Sequence, residues 1–470
     1  MSIPSTHHAV FRRRQRGVGA LAVSSLLLLV ASIMLLYLNR SVIFEQRTSA
    51  NQMRATSAQE LAEAGLEWAI GMFNTQQAIG SDCKAIPNPN PNTDSSFRSH
   101  YIRFPTNSSG LPVTATKSEM FNETRNIYPN IQPYCAVGAN AGSLTCSCPS
   151  DTSPQASLSQ AHFVVRFEPE QDTPDLSDPS GTKFHWETVR ITSIGCIGAT
   201  DGACVPPTAS PDTPSDKRVA INSRNADASA IASVAIKLRP TVPGGPFAAL
   251  TCGGSCGRNG NFSIVNTSVA ANGLIAISGD QINGANRNIA TIPGLPVENA
   301  LITNDLSLKT LAGNDSNCNN SAVFQSYFGS TLDQYANAPN TKIIACDKCE
   351  DDVQQAYKDG IRSFYFPNGF HFNKTTSLGT LAEPVVLVTP SHFRINSDDF
   401  TVNGLIFSNS MDADAIGSGK SNINGAIITC KNFESTGTGT LSYSAQVIAN
   451  IGRSTGNLVK IPGSWRDWSF

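Results

Sequence analysis

No residue is charged between Val18 and Leu38, and four arginines, Arg12, Arg13, Arg14 and Arg16, stand just before that run. About 21 residues of helix span roughly 32 Å, the thickness of a bilayer's hydrocarbon core. Basic residues mark the retained flank, so the arginines are expected on the cytoplasmic side and the chain beyond Arg40 across the membrane. A cleaved secretory signal is the competing reading, but the run exceeds an ordinary h-region and no A-x-A-like site closes it. From Ala58, the positions Leu61, Ala62, Gly65, Leu66, Ala69, Met72 and Phe73 recur at threes and fours, with Glu60, Glu63 and Glu67 between them. That is an amphipathic helix. With no proline from Ser5 to Ile86, one helix is predicted to run from the membrane into the soluble part, ending before Pro87, Pro89 and Pro91.

The period then changes. Residues 76–160 are rich in Pro, Asn and Ser and read as a loop-rich region stapled by cysteines. AHFVVRFEP, WETVRITSIGC and ASAIASVAIKLRP alternate apolar and polar residues, as half-buried antiparallel strands do, and are expected to pack on the helix's second half. The Pro-rich TASPDTPSD is expected to be an exposed excursion between strands. TVPGGP, Thr241 to Pro246, reads as a linker into another texture, in which NGLIAISG (Asn272), NGLIFSNS (Asn403) and NGAIITCK (Asn424) begin short β-branched runs. Gly404 and Gly425 are about one solenoid coil apart, and each Asn-Gly is suited to a left-handed turn that starts a strand. A partial β-helix is the economical reading, a β-sandwich the alternative. Residues 285–380 interrupt the pattern and read as an insertion with a short helix, CEDDVQQAYKDGI, of a kind suited to partner contact.

Composition narrows the function. Charged residues are 15% of the chain, Lys plus Arg (34) nearly balance Asp plus Glu (36), and no basic stripe points to nucleic acid. All twelve cysteines follow the apolar run, and an even count on the oxidising side of a membrane reads as a disulfide set. Cys196 with Cys204 and Cys252 with Cys256 are candidate local pairs. Cys346 and Cys349 in CDKC favour a structural disulfide over half a zinc site or a redox motif, because no second ligand pair or βαβ context accompanies them. His371 and His392, each followed by Phe, resemble strand-edge positions more than HxH or HExxH. IGSGKS lacks the first glycine of a phosphate loop, and MDADAIGSG lacks the spacing of a calcium loop, so both read as solvated turns. No hydrolytic motif, cofactor site or metal site is expected.

RQRGVGAL, the uncharged run and EQRTSANQMRATSAQELAEAGLEWAIGMFN together resemble the N-terminus of PilX-type minor pilins of type IV pili. The resemblance implies that a prepilin peptidase cuts after Gly17, leaving Val18 as the new N-terminus, with Gly19 the poorer alternative, and that the helix then packs among other major and minor pilins. Major pilins carry Glu five residues after the cut. Ala22 stands there, or Ser24 if Gly19 is used. An unpaired carboxylate in an apolar core costs several kcal/mol, so its absence suits a subunit at or near the filament tip, although minor subunits elsewhere tolerate it too. The closing VKIPGSWRDWSF is similar to the ends of PilX-like proteins with a long C-terminal half, and Trp465, Trp468 and Phe470 are expected to cap the solenoid's open end.

The implied fold class is α+β: a long N-terminal transmembrane helix packed on a pilin-like antiparallel sheet, followed by a β-rich, partial β-helix-like C-terminal domain. The implied plan runs as leader (1–17), transmembrane helix (18–38), periplasmic continuation (39–75), Cys-containing loops (76–160), β head (161–240) and β-helix-like domain (247–470, insertion about 285–380). The function expected is a non-catalytic minor pilin that primes assembly, with a display role toward a tip adhesin or a host or surface ligand. It would be anchored once in the inner membrane, its bulk periplasmic until it enters the extracellular pilus. The alternatives are a membrane-anchored adhesin or carbohydrate-binding protein, a type II secretion pseudopilin, and a tethered β-helix polysaccharide-active enzyme.

Overall fold

The computed structural model describes residues 16–90, 93–102, 113, 115–116, 132–138, 143–149, 161–170, 183–184, 188–198, 227–284, 288–313, 322–346, 348–397, 399–413 and 421–467. Two compact units divide the chain, Met1–Ala58 and Gln59–Phe470. A 59-residue helix, Arg16–Asn74, supplies all the described structure of the first unit and opens the second. The predicted α+β class is that of the structure, a long apolar N-terminal helix with a large β-rich region behind it.

Within the second unit the helix ends against a six-stranded sheet. Ala62, Leu66, Ala69 and Phe73 pack on Phe163, Val165, Phe167, Val189 and Ile191, as the three-and-four spacing requires. The contact is close at Gly65, where an added methyl group would overlap Ser193 Oγ and lie 2.8 Å from the Phe163 ring. Three strands fall where the alternation puts them, His162–Pro169, Thr188–Ile197 and Ala228–Arg239, paired antiparallel in that order. TASPDTPSD lies outside the described residues.

Two further contributions to this head come from outside 161–240. Tyr134–Val137 and Leu144–Ser147 extend one side of the sheet, and Phe97 and Tyr101 of the short helix Phe97–Tyr101 fill its core beside Phe73. The region read as loops therefore also builds the head. On the other side the last strand, Asn457–Lys460, pairs antiparallel with Ala228–Arg239, matching Asn457 to Arg239. The β-helix-like region is thus inserted between two neighbouring head strands rather than appended after them. Asn74, the last residue of the long helix, fixes the returning strand: its side chain donates to Leu458 O at 3.0 Å and accepts from Leu458 N at 2.8 Å.

Between those strands the pairing is parallel throughout and forms three strips. The first runs Leu301–Ile302, Ala276–Ser278, Leu250–Cys252, residues 425–429, residues 404–408, Val385–Val388, Ser363–Tyr365 and Thr341–Ile343. The second runs Ile282–Asn283, Cys256–Arg258, Phe433–Ser435, Ser410–Ala413, His392–Ile395 and Phe370–Phe372. Ile289–Ala290, Asn261–Val265, Thr438–Ser442, residues 421–424, residues 400–402 and Thr376–Leu378 make the third. The chain enters in the middle of the stack, at Leu250, and coils outward to Ile302. It then returns to the far end and coils from Thr341 to Ser442 until Ile427 meets Leu250.

This topology corrects the insertion at 285–380. Most of that span is coil, and the helices Leu306–Ala312, Ala322–Phe328 and Leu332–Ala336 are the return path. Their Leu308, Phe324, Phe328 and Tyr335 cover the outward side chains of the first strip, Val386, Val388, Leu405, Phe407 and Ile428, while Val385, Leu387, Ile406 and Ile427 face the solenoid core. Strands buried on both sides read as unbroken apolar runs, as VVLV does.

The Asn-Gly pairs work in two ways. Asn272 (φ 50°) and Gly273 (φ 63°) make the expected left-handed turn. At the corner between the third and first strips, Gly404 pairs with Gly425, and a methyl group on either would overlap a carbonyl oxygen of the preceding coil, Val385 O or Gly404 O. Glycine is needed there for close approach. The asparagines beside them form a ladder, Asn424 Nδ2 donating to Asn403 Oδ1 at 3.0 Å and Asn403 Nδ2 to Gly379 O at 3.0 Å.

Candidate functional site

The first candidate is the exposed part of the long helix. Leu21, Leu26 to Leu29, Ile33, Met34, Leu35 and Leu36 are all exposed, and by length and composition this helix is able to cross a membrane. Burying one such side chain is worth about 1.5–3 kcal/mol, so the stretch requires an apolar surround. Its serines are already satisfied. Ser24, Ser25 and Ser32 donate to the backbone oxygens of Leu21, Ala22 and Leu28, the bonding an apolar medium demands of serine in a helix. Gly17 and Val18 lie in the first helical turn, which contains no acidic residue, and Ala22 is exposed on the helix surface. The arginines before Arg16 lie outside the described residues.

The second candidate is the cysteine set. Cys252 with Cys256 and Cys346 with Cys349 are bonded, as are Cys83 with Cys148 and Cys135 with Cys146, which tie the 76–160 region to itself. Cys196 and Cys430 are also in disulfides. Cys204 and Cys318 lie outside the described residues. Asp352, one turn into the helix Glu350–Lys358, brings a carboxylate oxygen to the Cys346 and Cys349 sulfurs, all three atoms lying within 4.8 Å of one another. Of the groups among the described residues, these could hold a metal ion.

Trp465 is not over a solenoid end. The segment around it lies along the head strand Ala228–Arg239, with Ser233 N donating to Arg466 O at 2.7 Å and Arg466 N to Ser233 O at 2.8 Å. Trp468 and Phe470 lie outside the described residues. The end of the solenoid nearest the head is covered instead by the helix Glu350–Lys358, whose Val353 and Ala356 enter the solenoid core. Glu350 Oε1 accepts from Asn373 N at 2.7 Å, and Lys374 Nζ lies 2.7 Å from Asp351. That hydrogen-bonded carboxylate raises the Lys374 ammonium above its ordinary value.

Sequence reasoning missed a polar surface on the second strip. His371, His392, Arg394, Ser410, Asp412 and Glu434 alternate with buried Phe370, Phe393, Ile395, Met411 and Phe433. Register places His371 beside Arg394, Arg394 beside Asp412 and Asp412 beside Glu434, so His371 lies on the strip's end strand, as expected, while His392 stands on an interior strand. His392 bonds Ser410 Oγ through Nδ1 at 3.0 Å and Asp412 through Nε2 at 3.1 Å. Hydroxyl, imidazole and carboxylate thus meet in the order of a hydrolytic relay, but the nearby Asn409 and Met411 N–H groups are engaged with Ser391 O and Asn432 O. They are not aimed at an oxyanion. The period-two alternation of SHFRI and NSMDA was the signal available in the sequence. Asp414 and IGSGK of the rejected motifs lie outside the described residues.

Head and solenoid meet through buried polar contacts that no motif announced. Arg98 donates Nε to Phe73 O at 3.0 Å and Nη1 to Arg453 O at 3.2 Å, joining the last turns of the long helix and of the helix Ala445–Thr455. Burial pulls its guanidinium down to about 10. Gln76 adds bonds to Ser454 O and Arg362 N.

No protein-family model matches the chain, and no curated protein matches it significantly. Among solved structures it is similar to the competence-associated pilin ComZ from Thermus thermophilus, at 10% identity over 89% of this chain and 98% of that one. The TM-score of that superposition is 0.19, too low to bear on architecture or function.

Proposed function

We propose that this chain is a non-catalytic minor subunit of a type IV pilus, whose apolar helix first anchors it in the inner membrane and then joins other pilins in the fibre. The observation that carries this reading is one unbroken helix, Arg16–Asn74, exposed and apolar in its first part and built into a folded head at its end. A plain signal peptide has no need of that continuity. Prepilin peptidase is the processing partner, cutting after Gly17. Ala22 in place of a carboxylate suits a position at or near the tip, where the inserted solenoid would be displayed. Its polar second strip, His371 to Glu434, is the surface we assign to adhesion or aggregation.

The test is N-terminal sequencing of protein recovered from sheared surface fibres. The expected sequence starts at Val18, and Gly17→Val leaves the protein uncleaved in the inner membrane and absent from fibres. Recovery of only the full-length chain, or normal piliation by Gly17→Val, sinks the proposal.

A further inference from the structure

The loop before the helix Glu350–Lys358 carries chemistry that filament assembly leaves unused. Cys346 is exposed and Cys349, at the helix N-cap, is half-buried. Among the other described disulfide cysteines, Cys83, Cys135, Cys148, Cys252 and Cys256 are buried and Cys146 is half-buried, so none is exposed as Cys346 is. Thiol–disulfide exchange requires an attacking thiolate to reach one sulfur, so access singles out Cys346.

A second, independent feature is the carboxylate. The two sulfurs and an Asp352 oxygen lie within 4.8 Å of one another. Ligand atoms around one tetrahedral zinc stand about 2.0–2.3 Å from the metal, hence roughly 3.3–3.8 Å apart, so once the Cys346–Cys349 bond opens the two sulfurs part to that spacing and the Asp352 oxygen needs only a small shift to complete three ligand positions. Glu350 and Asp351 of the same turn are engaged with Asn373 N and Lys374, and Asp352 is the acid turned toward the sulfurs.

We propose that Cys346, Cys349 and Asp352 form a redox-gated site for a soft divalent cation, with zinc as the reference metal. A dithiol opens it. Its first thiolate attacks Cys346 Sγ, the Cys346–Cys349 bond breaks, and Cys349 leaves as thiolate. The dithiol's second sulfur then resolves the mixed disulfide, frees Cys346 and departs as a cyclic disulfide. The dithiol loses two electrons and the protein disulfide gains them. The cation binds the two thiolates and the Asp352 carboxylate, the thiol protons pass to solvent, and water takes the fourth position. Closed, the pair is a staple on the helix that covers the solenoid; open, it exchanges that staple for a metal clasp.

The experiment uses the full chain in detergent under anaerobic conditions. Limiting dithiothreitol followed by alkylation and mass mapping is expected to label Cys346 and Cys349 before any other cysteine. Cobalt(II), added to the opened protein as the probe, is expected to give a thiolate-to-metal charge-transfer band at one equivalent that zinc displaces. Asp352→Asn, a change at an exposed residue, should weaken cobalt binding by at least the roughly tenfold typical of an outer-shell partner, and Cys346→Ser with Cys349→Ser should abolish the band. Earlier labelling elsewhere, opened protein without the band, a band that survives the double variant, or unchanged affinity in Asp352→Asn would each overturn the proposal.

Discussion

Gly65 and Gly71 lie in the same helix, and alanine at each is expected to act in opposite directions. Glycine inside a helix costs about 0.8–1.0 kcal/mol relative to alanine, mainly through backbone entropy. At Gly71 a methyl group meets nothing within 4 Å, so Gly71→Ala should stabilise by about 1 kcal/mol. At Gly65 the same methyl overlaps Ser193 Oγ and lies 2.8 Å from Phe163 Cδ2. The serine hydroxyl can turn away, but Phe163 is fully buried and packs on Trp68, ring centroids 5.7 Å apart. The helix must therefore lift from the sheet. Overpacking of this kind costs about 1–3 kcal/mol, which outweighs or cancels the propensity gain and separates the two variants by about 1–3 kcal/mol. Thermal unfolding of the full chain in detergent, followed by fluorescence of its four tryptophans, reads the effect, Trp68 being packed against that core. At about 2–4 °C per kcal/mol, Gly71→Ala should melt several degrees above Gly65→Ala, with the parent between them or level with the lower. If Gly65→Ala melts at or above Gly71→Ala, the backbone-distance contact between helix and sheet is wrong.

Asp305 caps the helix Leu306–Ala312, its carboxylate accepting from the Ser307 hydroxyl and from Leu308 N and Ser307 N, and these bonds hold it below its ordinary 3.8. A folded value below the unfolded one gives stability that is present above the unfolded value and lost as pH falls through the folded one; the gap between parent and Asp305→Asn should therefore be constant near neutrality and shrink below about pH 4, and a gap that persists to about pH 2 in urea titrations contradicts this. Asn74→Ala removes both bonds to Leu458 and should speed amide exchange in Asn457–Lys460 about tenfold, for about 1.4 kcal/mol lost. Exchange in Val385–Val388 should not change, and equal protection of Asn457–Lys460 in both proteins would remove Asn74 as the clasp.

Much of the head was legible because its signals are local. Val18 to Leu38 has one composition, Leu61 to Phe73 one period, and HFVVRFEP, TVRITSIG and ASAIASVAIKLR alternate with period two. Coil length and core chemistry hid the rest of the solenoid. NGLI and NGAI mark only some of the coils, whereas the coil from Ser363 to Leu378 fills its core with Phe364, Phe366, Phe370 and Phe372. Its spacing to the next coil, Ser363 to Val386, also differs from Val386 to Leu405. The end cap was misplaced for a different reason. Trp465 is apolar and terminal, but pairing of Asn457–Lys460 and Arg466 with the head strand is long-range and leaves no periodic mark. CDKC showed its two sulfurs plainly; Asp352, one helical turn on, becomes their neighbour only when the helix at Glu350 forms.

Insertion of the solenoid between two paired strands explains how one chain carries both without a flexible hinge. Roughly 200 residues leave the head at Arg239 and return at Asn457, yet these two residues are register partners. Loop-closure entropy grows only as the logarithm of length, so a loop of roughly 200 residues costs about 2.7 kcal/mol more than one of ten. A prefolded solenoid costs less still, because its own structure already brings the two ends together. Thr241 Oγ1 and Asn340 Nδ2 both donate to Thr455 O, so the outgoing and returning segments are bonded to each other at the root. Arg98 and Gln76 then tie that root to the end of the long helix. Two crossings and a buried guanidinium bond the solenoid to the head far more firmly than a single linker after Arg239 would. In a fibre, a pull on the solenoid would reach the long helix through the sheet and the Asn74–Leu458 clasp, without first extending a loop.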